Sequence, residues 1–341
     1  MFVFTYTPGM GRLMKMGFYS SILQMDNRTG RCRGVLLVLL AGALWGTLGT
    51  LYTWVRQEFG LGPVSIVFWR AALAALALGL VLGGIMPLAG RGAGLLKVKR
   101  ADLPLFVAFG LLGVTAFFLL YIYAVVLTGV AVAVVLLYTS PVFVALMAWR
   151  FLGENFSISK VAALLLTLAG CTLVARVFDQ SQAADLVGIA CGLGAAFTYA
   201  LYSILGKISL RRGYPIATMS LYVFGIGAVG LLVVALIQDP GQLVSMGWDP
   251  GAWGLLLVLA LVQTLGALAA YTAALKYIEA GVASIVATLE PVVATMLAYF
   301  VLREPLGWPQ FVGGGLILAA ILLLQAQSLS LPKGKKSVSK G

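Results

Sequence analysis

The sequence predicts an all-α integral membrane protein: ten transmembrane helices built as an inverted five-plus-five repeat. Three observations lead there. Of 341 residues, 61% are hydrophobic and 10% charged, with a mean hydropathy of +1.03, whereas soluble domains carry about 25% charged residues. From Gly34 onward, apolar runs long enough to cross a bilayer alternate with short polar breaks. The chain also repeats itself. AVAVVLLYTSPVFVALMAWRFLGE at 131–154 lies on GVASIVATLEPVVATMLAYFVLRE at 281–304 after a shift of 150 positions, and Pro141 and Glu154 are thirteen residues apart, as are Pro291 and Glu304.

Residues 1–33 read as an N-terminal tail. They mix Arg12, Lys15, Arg28, Arg31 and Arg33 with Gly, Ser and Asn, and no apolar core precedes a cleavage site. Met25 opens a short polar leader, MDNRTGRCRG, and is an expected alternative start. Ten spans follow, near 34–54, 63–84, 103–123, 130–151, 158–176, 186–206, 215–237, 252–275, 281–302 and 308–327. The breaks between them carry Gly, Pro, Asp and charge, as in FGLGP, RRGYP and QDPGQLVSMGWDP. The expected organisation is one five-helix unit over 34–176, an external linker at 177–185, a second unit over 186–327 and a basic tail at 328–341.

Charge sets the expected orientation. With the N-terminus inside, 19 of the 23 Lys and Arg fall in inner segments, Arg56, Arg176 and Arg303 fall outside, and Arg70 lies within a span. That bias places both termini in the cytoplasm of a multi-pass cell-membrane protein. The net charge of +12 then meets an anionic leaflet of lipid, not nucleic acid.

The repeat reaches beyond its best-matched pair. Gly34 and Trp45 match Gly188 and Tyr199, Pro63 matches Pro215, and Tyr121 and Ala124 match Tyr271 and Ala274. Each unit has an odd number of spans, so the second copy must sit upside down relative to the first. Inverted repeats are a transporter architecture, with the substrate site at the repeat interface near the midplane.

These residues carry a resemblance. The chain resembles the EamA family of the drug/metabolite transporter superfamily across roughly 34–327. It does so through FWRAALAAL in span two, the P-x12-E ends of spans four and nine, SIVATLEPVVA in span nine, and less sharply ALYSILGKI and AALKYIEAGVASI. The resemblance implies ten helices, cytoplasmic termini, and a central cavity lined mostly by spans one to four and six to nine. It also implies permease function, usually efflux, for small metabolites such as amino acids. One departure is local: Ser140-Pro141 stands in the first copy where Glu290-Pro291 stands in the second.

Absences narrow the chemistry. With no His, the chain has no imidazole acid–base group, and its three cysteines, Cys32, Cys171 and Cys191, are scattered packing residues with neither disulfide nor metal spacing. No nucleotide-binding P-loop occurs, so neither an ATPase subunit nor a cofactor is implied, and the expectation is no enzyme. The rival reading is a membrane protein that keeps this fold in a structural or regulatory role, and substrate-dependent flux separates the two.

Candidate site residues are the polar groups placed deep in spans. Glu290 is the acid well inside a span, a candidate for proton coupling or for a substrate amine; its bland alternative is a buried packing residue. Arg70 is the deep base, expected to bind a substrate carboxylate, to pair with Glu290, or to snorkel outward. Trp45, Tyr121, Tyr138, Tyr199, Tyr202 and Tyr271 would line a pocket for an organic solute, with Gln263 as a further polar contact; core packing is the alternative for each. Pro141 and Pro291 are candidate hinges, because proline removes a backbone N–H and bends the helix. Glu154 and Glu304, at span ends, read as structural groups over the N-terminus of the next helix. Gly42-x-x-x-Gly46 and Gly188-x-x-x-Gly192 read as close-packing faces.

Overall fold

A computed structural model describes residues 29–88, 95–179, 185–302 and 307–330. The expected start at Met25, Glu304 and residues 331–341 of the C-terminal tail lie outside them. The described residues form helices α1 Thr29–Phe59, α2 Pro63–Leu88, α3 Arg100–Thr128, α4 Val130–Leu152, α5 Ile158–Val174, α6 Leu186–Arg211, α7 Ile216–Gln238 and α8 Pro250–Ala274. Helix α9 comes in two segments, Ala280–Ala287 and Glu290–Leu302, and α10 is Trp308–Ser330. Local chemistry sets many of the ends. Gly60 stops α1 at φ +63°, Pro63 opens α2 in its first turn, and Asp185 and Asp249 cap α6 and α8 through their carboxylates.

The ten-span expectation needs adjusting. Eight helices, α9 among them, are long and apolar enough to cross a membrane; α5 and the apolar part of α10, Trp308–Leu324, are shorter. The 17 residues of α5 rise about 25 Å at ~1.5 Å per residue, short of the ~30 Å hydrocarbon core.

Helices from the two halves pack in matching pairs: α2 with α7, α4 with α9, and α5 with α10, while α3 lies on α6 and α8 on α1. Glycine permits the closest crossings. A Cβ on Gly170 of α5 would stand 2.7 Å from the Gly313 carbonyl of α10, and one on Gly313 would stand 2.5 Å from the Gly170 carbonyl. Gly42 and Gly46 press α1 onto α9 at Ala287–Val293, and Gly188 and Gly192 press α6 onto Leu127–Leu136 at the α3–α4 corner. Both Gly-x-x-x-Gly faces are therefore packing surfaces.

Three helices break near the middle of the bundle. In α4 the first segment stops at Leu137 and the second begins at Ser140, with Pro141 in its first turn; in α9 the break falls between Ala287 and Glu290, ahead of Pro291. At each break a threonine hydroxyl joins that threonine's own backbone N–H on one carbonyl, adding a second donor where water is scarce. Thr139 donates to Leu136 O at 2.6 Å, Thr288 to Ile285 O at 2.6 Å and, at a turn within α1, Thr47 to Leu44 O at 2.7 Å.

The loops at 95–102, 153–157, 212–215 and 275–279 share one end of the bundle, called here the basic end; the opposite end is the far end. All three ion pairs among the described residues, Lys160–Glu279, Lys207–Glu154 and Arg212–Asp102, join the two halves at the basic end. At the far end the cross-half bonds are neutral: Gly62 N donates to Gln242 Oε1 at 2.9 Å, and Trp69 Nε1 donates to Leu243 O at 3.0 Å.

Candidate functional site

The broken helices converge on a small chamber. Tyr138 and Ser140 from the α4 break, Tyr199 from α6, and Ser284, Thr288 and Glu290 around the α9 break line it. Its volume is about 20 Å³, room for about one water molecule. The Ser284 and Thr288 hydroxyls donate to backbone carbonyls within their own helix, Ser284 to Gly281 O at 2.9 Å. Glu290 differs. Its carboxylate makes no hydrogen bond or ion pair among the described residues, and the side chain is only half-buried, facing this space.

An aromatic cluster adjoins the chamber and extends it to α1, α3 and α8. Trp45 meets Tyr199 edge-on with ring centroids 6.3 Å apart and Tyr271 at 5.7 Å, and Tyr199 lies 6.4 Å from Tyr271. Phe117 joins Tyr199 at 5.9 Å and stacks on Tyr121 at 6.2 Å. The repeat-matched pairs Trp45/Tyr199 and Tyr121/Tyr271 thus gather around one centre, contributed by both halves. Tyr271 is fully buried and shares a 2.8 Å hydrogen bond with Ser203, so its hydroxyl is committed. Tyr202 does not join the cluster. It packs on Phe109 at 4.8 Å in a separate part of the core.

Arg70 and Glu290 do not pair, contrary to one sequence expectation. Arg70 neither snorkels nor meets an acid. It is buried, its Nε donates to Thr264 Oγ1 at 3.0 Å, and its guanidinium carbon lies 5.3 Å from the Phe118 ring centroid. Thr264 follows Gln263 in the π-helical stretch Leu259–Gly266 of α8, and a second such stretch, Leu111–Ala116, occupies the matching place in α3. A π-helical turn shifts the register of the side chains that follow it and is frequent at functional sites. Gln263 Nε2 donates to Thr47 Oγ1 at 3.3 Å, while its buried Oε1 has no partner among the described residues. Arg70 and Gln263 therefore form a second polar group, between α1, α2 and α8.

Glu154 also departs from expectation. The next helix, α5, is capped by Ser157, and Glu154 reaches across to the other half instead. Its Oε1 accepts from Lys207 Nζ at 2.9 Å and Ala280 N at 2.8 Å, and its Oε2 accepts from Gly281 N at 3.2 Å. Lys207 Nζ also donates to Ile278 O at 2.8 Å. A carboxylate there meets the partial positive charge of the α9 N-terminus. Lys207 stood as one letter of the ALYSILGKI run, and nothing in the sequence marked its link to Glu154. Ser284 and Thr288 also escaped sequence reasoning, although their small-residue, hydroxyl-bearing run SIVAT was visible.

The model of the EamA-like transporter family matches residues 32–176 and again 186–325. The chain belongs to that family. Its similar relatives include an uncharacterized transporter of Archaeoglobus fulgidus, 29% identical over 85% of this chain and 95% of that one. The uncharacterized transporter YwfM of Bacillus subtilis is 30% identical over 85% and 93%. The pseudopaline exporter CntI of Pseudomonas aeruginosa is 26% identical over 68% of this chain and 75% of that one. A solved crystal structure superposes with a TM-score of 0.71 at 18% identity, covering 87% of this chain and 99% of that one, which bears on the fold alone. Family and relatives together make this a multi-pass membrane permease with small-molecule substrates.

Proposed function

We propose that the chain is a secondary active exporter of small metabolites, amino-acid-like or related organic solutes, with Glu290 as the exchangeable acid of its transport site. The observation that carries this is the Glu290 carboxylate, which opens on an internal chamber without a partner among the described residues. An unpaired ionisable group deep in a bundle is expensive and marks a proton or substrate pathway. Glu290 holds either a proton or the ammonium of a solute, and exchange between the two links solute movement to a pH gradient. The aromatic cluster supplies apolar faces for the solute's carbon skeleton. Arg70, with one hydrogen bond to Thr264, is the group for a solute carboxylate. It acts from the second polar group and not as a counter-ion to Glu290.

In this reading the halves form an inverted repeat with both termini and the basic end in the cytoplasm, and they rock about the α4 and α9 breaks at Pro141 and Pro291. The test begins with a metabolite-toxicity screen in overexpressing cells to choose solutes. Flux is then measured in proteoliposomes with and without a pH gradient. The expected result is gradient-driven flux that Glu290→Gln abolishes while solute binding persists. Normal gradient-driven flux in Glu290→Gln would make Glu290 a packing residue.

A further inference from the structure

The chamber walls come from α4, α6 and α9, and one node outside the chamber ties those same three helices together, with Arg211 Nη2 of α6 donating to Leu152 O of α4 at 3.0 Å beside it. Glu154 follows the end of α4, Lys207 lies on α6, and the amides of Ala280 and Gly281 open α9. The node is dry, with the side chains of Glu154 and Lys207 only 5% and 12% exposed. Lys207 stands eight residues beyond Tyr199 on α6, about 12 Å towards the basic end at ~1.5 Å per residue.

We propose that this node is a latch that closes the chamber towards the basic end, and that a solute passes that end only while the latch is broken. The inference rests on the reading that the chamber carries solute. A space of about 20 Å³ is more than tenfold below the ~300 Å³ at which small-molecule pockets begin, so the walls must part to admit one. While Glu154 holds donors on α6 and α9 together, α4 cannot leave either helix at that end. The far end is free to open with the latch intact. The latch also has two distinct settings. Its charges attract strongly while water is excluded and weakly once water enters, so partial opening promotes full opening.

The other half keeps the acid, since a shift of 150 lays Glu154 on Glu304, but lacks the ammonium. The shift of 154 that lays Gly188 and Tyr199 on Gly34 and Trp45 brings Lys207 onto Thr53. The shift of 150 brings the neighbouring Lys160–Glu279 pair onto Gln310 and Gly129. Among the described residues, ion pairs join the two halves at the basic end, which biases the resting protein towards the state closed there.

The test uses a reporter at Ser284, which is buried at the chamber wall, changed to Cys in a chain whose Cys32, Cys171 and Cys191 are replaced by Ala. A membrane-impermeant maleimide is added to one face of vesicles at a time, and the basic-end face is identified by labelling of Arg212→Cys. Glu154→Gln and Lys207→Met are each expected to raise labelling of Ser284→Cys from the basic-end face about fivefold or more, leaving the far-face rate within about twofold. An unchanged basic-end rate in folded protein overturns the proposal, as does an equal rise from both faces. Hydrogen exchange on the unsubstituted chain gives a second reading if these variants fold poorly. The amides of Ala280 and Gly281 should exchange through an opening well short of global unfolding, and protection up to the global limit overturns the latch. Neither measurement needs a solute, so a chain that moves none fails the flux assay while these readings still decide the latch.

Discussion

Glu154 and Glu290 are two acids in apolar surroundings, one from each half, and their company could hardly differ more. Glu154 accepts from an ammonium and two backbone amides; Glu290 accepts from no described residue and faces open space. A carboxylate with both oxygens engaged holds structure together, while one left without partners is available to exchange them. The difference teaches that depth along a span does not identify the working acid. Partners do.

The comparison breaks most visibly in stability. Glu154→Ala strands Lys207 and two amides, and removing one partner from a buried pair costs about 3–5 kcal/mol; Glu290→Ala strands nothing and should cost less than about 1 kcal/mol. Thermal unfolding of both variants in detergent checks this, and equal losses would erase the distinction. Transport should reverse the order of blame. Glu290→Gln is expected to lower gradient-driven flux about thirtyfold or more, with folded protein in the membrane unchanged.

A third change sharpens the role of the second polar group. Arg70→Ala is expected to weaken binding of carboxylate-bearing solutes about tenfold, the size of one charge-assisted hydrogen bond, and to leave amines without a carboxylate within about twofold. Competition binding with matched pairs of solutes measures it, and equal weakening of both classes would make Arg70 a packing group. The smallest effects belong to the breaks. Pro141→Ala and Pro291→Ala should each reduce flux about threefold while abundance holds, and parallel losses of flux and abundance would reduce both prolines to folding roles.

Much of this was legible in the chain. Hydropathy placed the helices to within about five residues, because lipid leaves the backbone few alternatives to helix, though α5 and the apolar part of α10 are shorter than the spans expected there. Proline placed the breaks in α4 and α9, and the repeat picked out Trp45 with Tyr199, at a shift of 154, and Tyr121 with Tyr271, at a shift of 150. The Arg70–Glu290 pairing failed for a definite reason. Counting residues gives a depth in the membrane but not a direction around the helix axis, and Arg70 faces Thr264 on α8. Tyr202 failed in the same way, three residues from Tyr199 yet turned onto Phe109. Glu154 was read correctly as a helix-terminus acid and assigned to the wrong helix, since Ser157 already served α5. The π-helical stretches that set Gln263 and Thr264 have no counterpart in hydrophobic periodicity and could not be read.

The crossing of α5 and α10 has a consequence in time. Gly170 and Gly313 each occupy the space that a side chain on the other would need, and they are 143 residues apart in the chain. At ~5–20 residues per second of synthesis, α5 waits about 7–30 s after entering the bilayer before the surface it is shaped for exists. During that interval its bare glycine face meets only lipid or the helices already inserted. The first half is thus built as an unfinished object until α10 closes over it. A chain cut at 180–184 and expressed as two pieces should accumulate only when both pieces are made together.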